Sequence, residues 1–84
     1  MALHLWTKPV TVEARATGER IRIPSPERAS EYMMNEWPTL EEGQAYKAAK
    51  QAMLDAAEGN IDPESARQAF IAALEEGDVY VFDK

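Results

Sequence analysis

The sequence predicts a small α+β domain in which an N-terminal β-hairpin packs on three helices, in the order ββααα. Apolar and polar residues alternate with a period of two on both sides of Thr17-Gly18, a pattern typical of half-buried strands joined by a turn. Three later segments instead repeat apolar residues at spacings of three and four, as amphipathic helices do. The chain has 84 residues, fewer than a usual domain, so we expect a single domain over residues 1–84.

The hairpin is expected within residues 9–23. We place the centre of its turn at Thr17 and Gly18, because glycine adopts the backbone conformation that tight turns require. The resulting register puts apolar pairs on one face and a pair of opposite charges on the other, each pair contributing about 0.2–1 kcal/mol. The predicted pairs are Val12 with Ile23, Ala14 with Ile21, and Glu13 with Arg22.

The first helix is expected to begin at Ser25-Pro26 and to end before Pro38. The Ser25 hydroxyl can accept a hydrogen bond from an amide of the first turn, and proline at the first helical position sacrifices no hydrogen bond. The residue before a proline disfavours the helical conformation, so Pro38 marks the end. The predicted core face consists of Ala29, Tyr32, Met33 and Trp37.

Thr39 and Glu42 have the spacing of a capping box, so the second helix is expected to begin there. It is expected to end at Gly59, in the left-handed conformation of a C-terminal cap. Asp62-Pro63 repeats the start signal for a third helix that ends at Gly77. Both helices have core faces rich in alanine, which allows close approach. The predicted faces are Ala45, Ala49, Ala52, Met53 and Ala56 in the second helix, and Ala66, Phe70, Ala73 and Leu74 in the third.

The C-terminal run from Val79 to Phe82 is short and rich in residues that favour β-strands. We expect it to pair with the hairpin as a third strand, because an unpaired apolar strand at the surface invites aggregation. The alternative is an apolar tail that docks elsewhere.

Aromatic, glycine and alanine residues follow one another in a distinctive order along the chain. They are Trp6, Pro9-Val10, Trp37-Pro38, Gly43, Ala45-Tyr46, Ala49, Gly59, Ala66-Arg67, Ala69-Phe70 and Ala73. This ordered set resembles a family of short alphaproteobacterial proteins known as domain of unknown function 982. The resemblance implies a stand-alone bacterial protein with a two-stranded sheet on a helical layer, and neither a biochemical role nor functional residues are defined for the family. The segment Asp78 to Lys84 departs from the family's usual alanine-rich helical end.

Composition and charge exclude several classes of function. The net charge of −6 disfavours general affinity for nucleic acid or anionic membranes, and the charge is uneven, with +1 over residues 1–35 and −7 over residues 36–84. The chain has no cysteine and a single histidine, His4, and the acidic turn over residues 55–64 lacks the ligand order of an EF-hand. We therefore expect no metal and no cofactor. With neither a signal peptide nor a membrane-spanning segment, we expect a cytoplasmic protein.

Candidate catalytic groups are few. Glu41-Glu42 and Glu75-Glu76 are adjacent acidic pairs, but neighbouring residues on a helix point about 100° apart and are usually solvated. A serine nucleophile would have only His4 as its base, and His4 lies in a terminus that few contacts hold. We therefore expect a protein that is not an enzyme, with a small carboxylate-dependent hydrolase as the alternative.

The remaining prediction is a protein-interaction or regulatory module whose partner is another protein or a second copy of the chain. Aromatic residues are enriched at such interfaces, and the candidates are Trp6, Trp37, Tyr80 and Phe82. For the two tryptophans, as for Tyr32 and Tyr46, the alternative is a position in the core or at its rim, so a tryptophan marks an interface only if it stays exposed. The alternative is a nucleic-acid-binding regulator that uses the outward face of the hairpin, where Arg15, Arg20 and Arg22 lie.

Overall fold

The computed structural model describes residues 5–14, 17–37 and 43–83 of the chain. Three strands form one sheet in the order β2-β1-β3, with β1 in the centre and antiparallel to both neighbours. The predicted ββααα order and the C-terminal third strand are therefore confirmed. The elements are β1 (Val10–Glu13), β2 (Arg20–Ile23), α1 (Pro26–Asn35), α2 (Gln44–Ala57), α3 (Pro63–Glu76) and β3 (Val81–Asp83).

The helices form a second layer against one face of the sheet. Val10, Val12 and Ile23 are fully buried on that face, and Ile21 and Val81 pack against the same core. The intervening strand residues point to the opposite face, because side chains alternate along a strand. The helical part of the core consists of Ala29, Tyr32, Met33, Tyr46, Ala49, Met53, Ala56, Ala66, Phe70, Ile71, Ala73 and Leu74.

The predicted helical core faces are largely confirmed. All four predicted residues of α3 are buried, as are Ala49, Met53 and Ala56 of α2, whereas Ala45 and Ala52 are half-buried. Tyr46, which the predicted α2 face omitted but which the sequence placed in the core or at its rim, is buried at the start of α2. Its hydroxyl donates a hydrogen bond to the Met33 carbonyl at 2.8 Å. α1 ends at Asn35, so Trp37 follows the helix instead of lying in it.

The predicted hairpin register is wrong by two residues. The structure pairs Val10 with Ile23, Thr11 with Arg22, Val12 with Ile21, and Glu13 with Arg20. The turn is longer than predicted, because the Ala14 amide donates to the Glu19 carbonyl at 2.7 Å and the Gly18 amide donates to the Ala14 carbonyl at 2.7 Å. Gly18 has a φ of 76°, the positive value expected of a turn glycine. However, four residues, and not the predicted two, separate Ala14 from Glu19, the last hydrogen-bonded pair of the hairpin. A shift of two keeps every side chain on its predicted face.

The predicted helix caps are confirmed at three positions. The Ser25 hydroxyl accepts a hydrogen bond from the Arg28 amide at 3.2 Å, and the Asp62 carboxylate accepts one from the Ser65 amide at 2.7 Å. This bond and a second one from the Ser65 hydroxyl hold the pKa of Asp62 below its ordinary value. Gly59 ends α2 in the left-handed conformation, with a φ of 81°.

The end of α3 differs from the prediction in one residue. Gly77 has a φ of −83°, and the left-handed residue is Asp78, with a φ of 59°. The Val79 amide donates to the Leu74 carbonyl at 2.9 Å and the Asp78 amide donates to the Glu75 carbonyl at 3.1 Å, the hydrogen bonds of a Schellman motif. This motif turns the chain from α3 towards β3.

The first turn of α2 is capped by a residue of α3. Gly43 precedes the helix and supplies no side-chain cap, and Thr39 and Glu42 lie outside the described residues. The Glu76 carboxylate accepts hydrogen bonds from the Ala45 and Tyr46 amides, both at 3.2 Å. A Cβ atom at position 43 would lie 2.5 Å from the Glu76 carboxyl carbon. Glycine is therefore needed here to let the carboxylate reach the helix.

This geometry predicts an energetic coupling between positions 43 and 76. Gly43→Ala should displace the Glu76 carboxylate and lower the free energy of unfolding by about 1–2 kcal/mol, the usual value of a lost N-terminal cap. In a Glu76→Ala background the same change should cost at least about 0.5 kcal/mol less, since neighbouring sites couple. Urea denaturation of the two single variants and the double variant measures the coupling.

Gly59→Ala is the matched control. Its φ of 81° strains any other residue, but no atom lies within 4 Å of a Cβ placed there. We expect a cost of about 1 kcal/mol that is the same in the wild-type chain and in the Glu76→Ala background. Additive effects of Gly43→Ala and Glu76→Ala would contradict the cap.

Candidate functional site

The face of the sheet opposite the helices is the candidate site, and we call it the outer face. Alternation along the strands places on it the side chains that do not enter the core. The Glu13 amide donates to the Tyr80 carbonyl at 3.0 Å, so the pairing of β1 with the C-terminal segment begins one residue before β3. The outer face consists of Thr11, Glu13, Arg20, Arg22, Tyr80 and Phe82.

Two aromatic rings lie together on the outer face. Tyr80 is 61% exposed and Phe82 is 37% exposed, and their ring centroids are 4.8 Å apart in an edge-to-face arrangement. The register of β3 shifts at Phe82, since Val81 pairs with Val12 but Asp83 pairs with Thr11. Such an irregularity can redirect a side chain. The guanidinium carbon of Arg20 lies 4.4 Å from the Phe82 ring centroid, a cation–π contact that spans the sheet.

The outer face carries basic groups on β2 and acidic groups near Tyr80. Arg20 and Arg22 are exposed on β2, and neither forms an ion pair with another described residue. Beside Tyr80, a depression of about 100 Å³ is lined by Glu13 of the central strand and by Asp78, Val79 and Tyr80. A larger open groove of about 310 Å³ beside it is lined by Glu75, Asp78, Val79, Tyr80 and Val81. The face is therefore basic along β2 and acidic beside Tyr80.

The four predicted interaction residues divide into two groups. Tyr80 and Phe82 lie on the outer face, but Trp6 is 6% exposed and packs against Phe70 with ring centroids 6.0 Å apart. Trp37 is half-buried, with its ring 5.7 Å from that of Tyr32 and 4.9 Å from that of Tyr46. Both tryptophans thus belong to the core and its rim. Of the three predicted nucleic-acid contacts, Arg20 and Arg22 lie on the outer face and Arg15 lies outside the described residues.

Comparison with known protein families identifies the family of this chain. The family model described as "Protein of unknown function (DUF982)" matches residues 8–81. The chain belongs to the DUF982 family. The match ends within β3, so it includes Tyr80 and stops just before Phe82. No curated protein and no solved structure matches the chain at a significant level.

This DUF982 protein has a sheet of three strands, where the resemblance noted from the sequence implied two. The third strand is formed by residues 81–83. This strand brings Phe82 beside Tyr80 and completes the aromatic part of the outer face.

Arg67 is a buried charge that the sequence analysis did not single out. It is 4% exposed, its Nε donates to the Lys8 carbonyl at 2.8 Å, and an Nη atom lies 3.4 Å from the Glu64 carboxylate. Its second Nη atom and the Trp6 indole nitrogen are buried without a hydrogen-bond partner in the described part of the chain. Arg67 fastens the segment before β1 to α3. A buried arginine among alanines gave no periodic signal by which the sequence could reveal this contact.

The two glutamates of the pair Glu75-Glu76 lie in different surroundings. Glu76 caps α2, whereas Glu75 is exposed at the groove beside Tyr80. Glu41 and Glu42 lie outside the described residues. Within residues 5–14, 17–37 and 43–83, no three acidic, histidine or cysteine side chains are arranged to hold a metal ion. In the same residues, no helix combines the length and apolar character that crossing a membrane requires.

Because Trp6 is buried and Tyr80 is exposed, replacing them should change the stability by different amounts. Trp6→Ala should lower the free energy of unfolding of this DUF982 protein by about 3–5 kcal/mol, or leave the chain unfolded, because it empties a core position. Tyr80→Ala should change it by less than about 1 kcal/mol, because exposed positions contribute little. Urea denaturation followed by circular dichroism compares the two. Equal losses in both variants would contradict the assignment of Tyr80 to the surface.

Proposed function

We propose that this protein is a non-enzymatic protein-interaction module and that the outer face is its contact surface. The observation that carries the proposal is the pair Tyr80 and Phe82, two touching aromatic rings on a sheet face that none of the described helices covers. Exposed apolar patches rimmed by polar groups mark interaction sites, and aromatic residues with arginine are enriched at their centres. Arg20, stacked on Phe82, completes such a set.

The composition of the face indicates a folded protein surface as the partner. Arg20 and Arg22 favour acidic groups on the partner, while Glu13 and Asp78 favour basic groups a short distance away. A partner that matches this pattern carries both signs of charge around an apolar centre. Protein surfaces offer such mixed patterns, and complementary charges across an interface provide specificity.

The groove beside Tyr80 gives weaker support to the hydrolase alternative. Its volume of about 310 Å³ lies at the lower limit of small-molecule sites. Its two carboxyl groups, Glu75 and Asp78, are both on exposed residues. Catalytic carboxyl pairs need one member shielded from water, and neither Glu75 nor Asp78 is buried.

Nucleic acid is the second candidate partner, favoured by one specific observation. Single-stranded nucleic acids bind to surfaces that combine arginines with exposed aromatic rings, on which the bases stack. Arg20, Arg22, Tyr80 and Phe82 provide both groups on one face. Glu13 and Asp78 line a depression with Tyr80, however, and the net charge of the chain is −6. These charges repel a polyanion, so a protein partner ranks first.

A photo-crosslinker placed at the outer face tests the proposal in living cells. The full chain carrying benzoylphenylalanine in place of Tyr80 should give a covalent protein adduct on irradiation, because the ring lies at the centre of the proposed contact. The matched control carries the same crosslinker in place of Leu54, which is 53% exposed on α2. Mass spectrometry identifies the adducts from both positions.

The proposal expects an adduct from position 80 that is several-fold stronger than any from position 54. Adding Arg22→Glu to the position-80 variant should weaken that adduct, because reversing the charge disturbs the contact. Equal labelling at both positions, or no protein adduct at position 80, would overturn the proposal. A nuclease-sensitive adduct at position 80 would replace the protein partner with nucleic acid.

A further inference from the structure

We infer that the protein partner contributes an extended acidic segment, which pairs with the free edge of β2 as an antiparallel fourth strand. The inference rests on the proposed function and specifies the chemistry of its partner. Two features of β2 point to such a segment. Its backbone has amide and carbonyl groups that point away from the sheet, and its two arginines have no ion pair with another described residue.

The backbone groups of Arg20 and Arg22 point away from the sheet. The Glu13 amide donates to the Tyr80 carbonyl, so the backbone groups of Glu13 face β3. Residue pairs that are hydrogen-bonded to each other alternate with pairs that are not in an antiparallel ladder, and Glu13 pairs with Arg20. Arg20, and likewise Arg22 two residues later, therefore direct their amide and carbonyl groups towards the free edge of β2.

The chain itself uses this edge only beyond the end of β2. By the same alternation the Pro24 carbonyl points outwards, and the Trp6 amide donates to it at 2.7 Å. Among the described residues, no backbone hydrogen bond outside the ladder with β1 reaches residues 20–23. Unpaired amide and carbonyl groups on an edge strand are a template for another strand. Extended peptides bind in this way, and main-chain hydrogen bonds then supply the affinity.

The side chains of the edge select an acidic segment. Arg20 and Arg22 are both exposed on the outer face. Paired residues of neighbouring strands have their side chains on the same face, so an acidic residue opposite each arginine forms a cross-strand ion pair. Between the arginines, Ile21 is half-buried against the core, and an apolar residue of the segment covers it. The expected pattern of the segment is therefore acidic, apolar, acidic.

The same arginines disfavour a second copy of the chain as the added strand. Antiparallel pairing of two β2 strands about Ile21 places Arg20 opposite Arg22 of the second copy, and like charges directly opposite each other destabilise a sheet. The acidic surplus of the chain lies in residues 36–84, which carry −7, whereas residues 1–35 carry +1. Glu13 is the β1 neighbour of Arg20, and Thr11 is that of Arg22. We therefore expect Arg22 to contribute more than Arg20.

Synthetic peptides titrated into the full chain test the inference. The probe is the acetylated and amidated peptide Thr-Glu-Val-Glu-Val-Glu-Thr, and NMR spectroscopy follows the amide signals of Arg20 and Arg22. We expect both signals to shift, with a dissociation constant of about 0.1–1 mM, because the contact spans a strand of only 4 residues. Raising the salt from about 50 mM to about 500 mM should weaken the binding several-fold, since salt screens exposed charges.

Methylation of selected peptide amides separates strand pairing from simple charge attraction. The glutamates that lie opposite the arginines turn their amides towards β2, whereas the valines turn theirs away. N-methylation of the glutamates should weaken the binding at least about tenfold, because it removes the donors and places methyl groups against β2. N-methylation of the valines should change the affinity less than about twofold.

A reversal of charge tests the side chains. Arg22→Glu should bind the glutamate peptide at least about tenfold more weakly than the wild type does, and should bind Thr-Lys-Val-Lys-Val-Lys-Thr more tightly than the wild type does. Lys47→Glu, an equal change of charge at an exposed position of α2, should leave both affinities unchanged. Circular dichroism verifies that each variant is folded.

The outcomes separate the inference from the proposed function. No shift of the two amides up to about 5 mM peptide, equal binding of the glutamate and lysine peptides, or equal effects of the two methylations would overturn the inference. So would larger shifts of the same amides on addition of oligothymidylate, which would indicate nucleic acid. If the peptide fails but position 80 still crosslinks to a protein, the outer face remains the interaction surface and only the strand pairing is wrong.

Discussion

The central strand β1 is the constraint on which the rest of the molecule depends. It is hydrogen-bonded on both sides, to β2 and to β3, and its two valines are completely buried. The three helices of the described residues form one layer, and that layer covers Val10 and Val12. The opposite side of the same strand must then face outwards. The bare outer face is a consequence of how this small core is formed.

Helix α3 connects this sheet to the remaining parts of the core. Phe70 packs against Trp6, and Arg67 holds the backbone at Lys8, so the segment before β1 is fixed to the helix. At its C-terminal end, Glu76 caps α2, which Gly43 permits by having no side chain. The left-handed turn at Asp78 then directs the chain along β1. The same helix therefore fixes the N-terminal segment, the start of α2 and the direction of β3.

The sequence predicted the elements well because their signals are local. Ser25 and Asp62 predict the starts of their helices because each side chain accepts a hydrogen bond from the amide three residues later. Alternation in the strands likewise depends only on neighbouring residues. The hairpin register failed because Gly18 is compatible with turns of different length, so a glycine alone does not determine which residues pair. The cap from Glu76 joins residues 30 and 31 positions apart, and no sequence pattern signals such a contact.

The sequence predicted the residues of the candidate site only in part. Tyr80 and Phe82 could be named from the run of β-favouring residues, and the arginines of β2 from alternation. Their assembly on one face required the order β2-β1-β3, which depends on where the last strand pairs. Trp6 and Trp37 show the opposite case, because large aromatic side chains occur in cores as well as at interfaces. Burial distinguishes the two roles, and burial is a property of the whole fold.

The position of the C-terminal strand is therefore the central claim, and one amide reports on it directly. The Glu13 amide bonds to the Tyr80 carbonyl and not to β2, so its hydrogen exchange measures whether the third strand is in place. The structure predicts exchange slowed by about a hundredfold or more relative to the unfolded chain. Exchange of the Glu13 amide at nearly the unfolded rate, while the amides between β1 and β2 stay protected, would contradict the account.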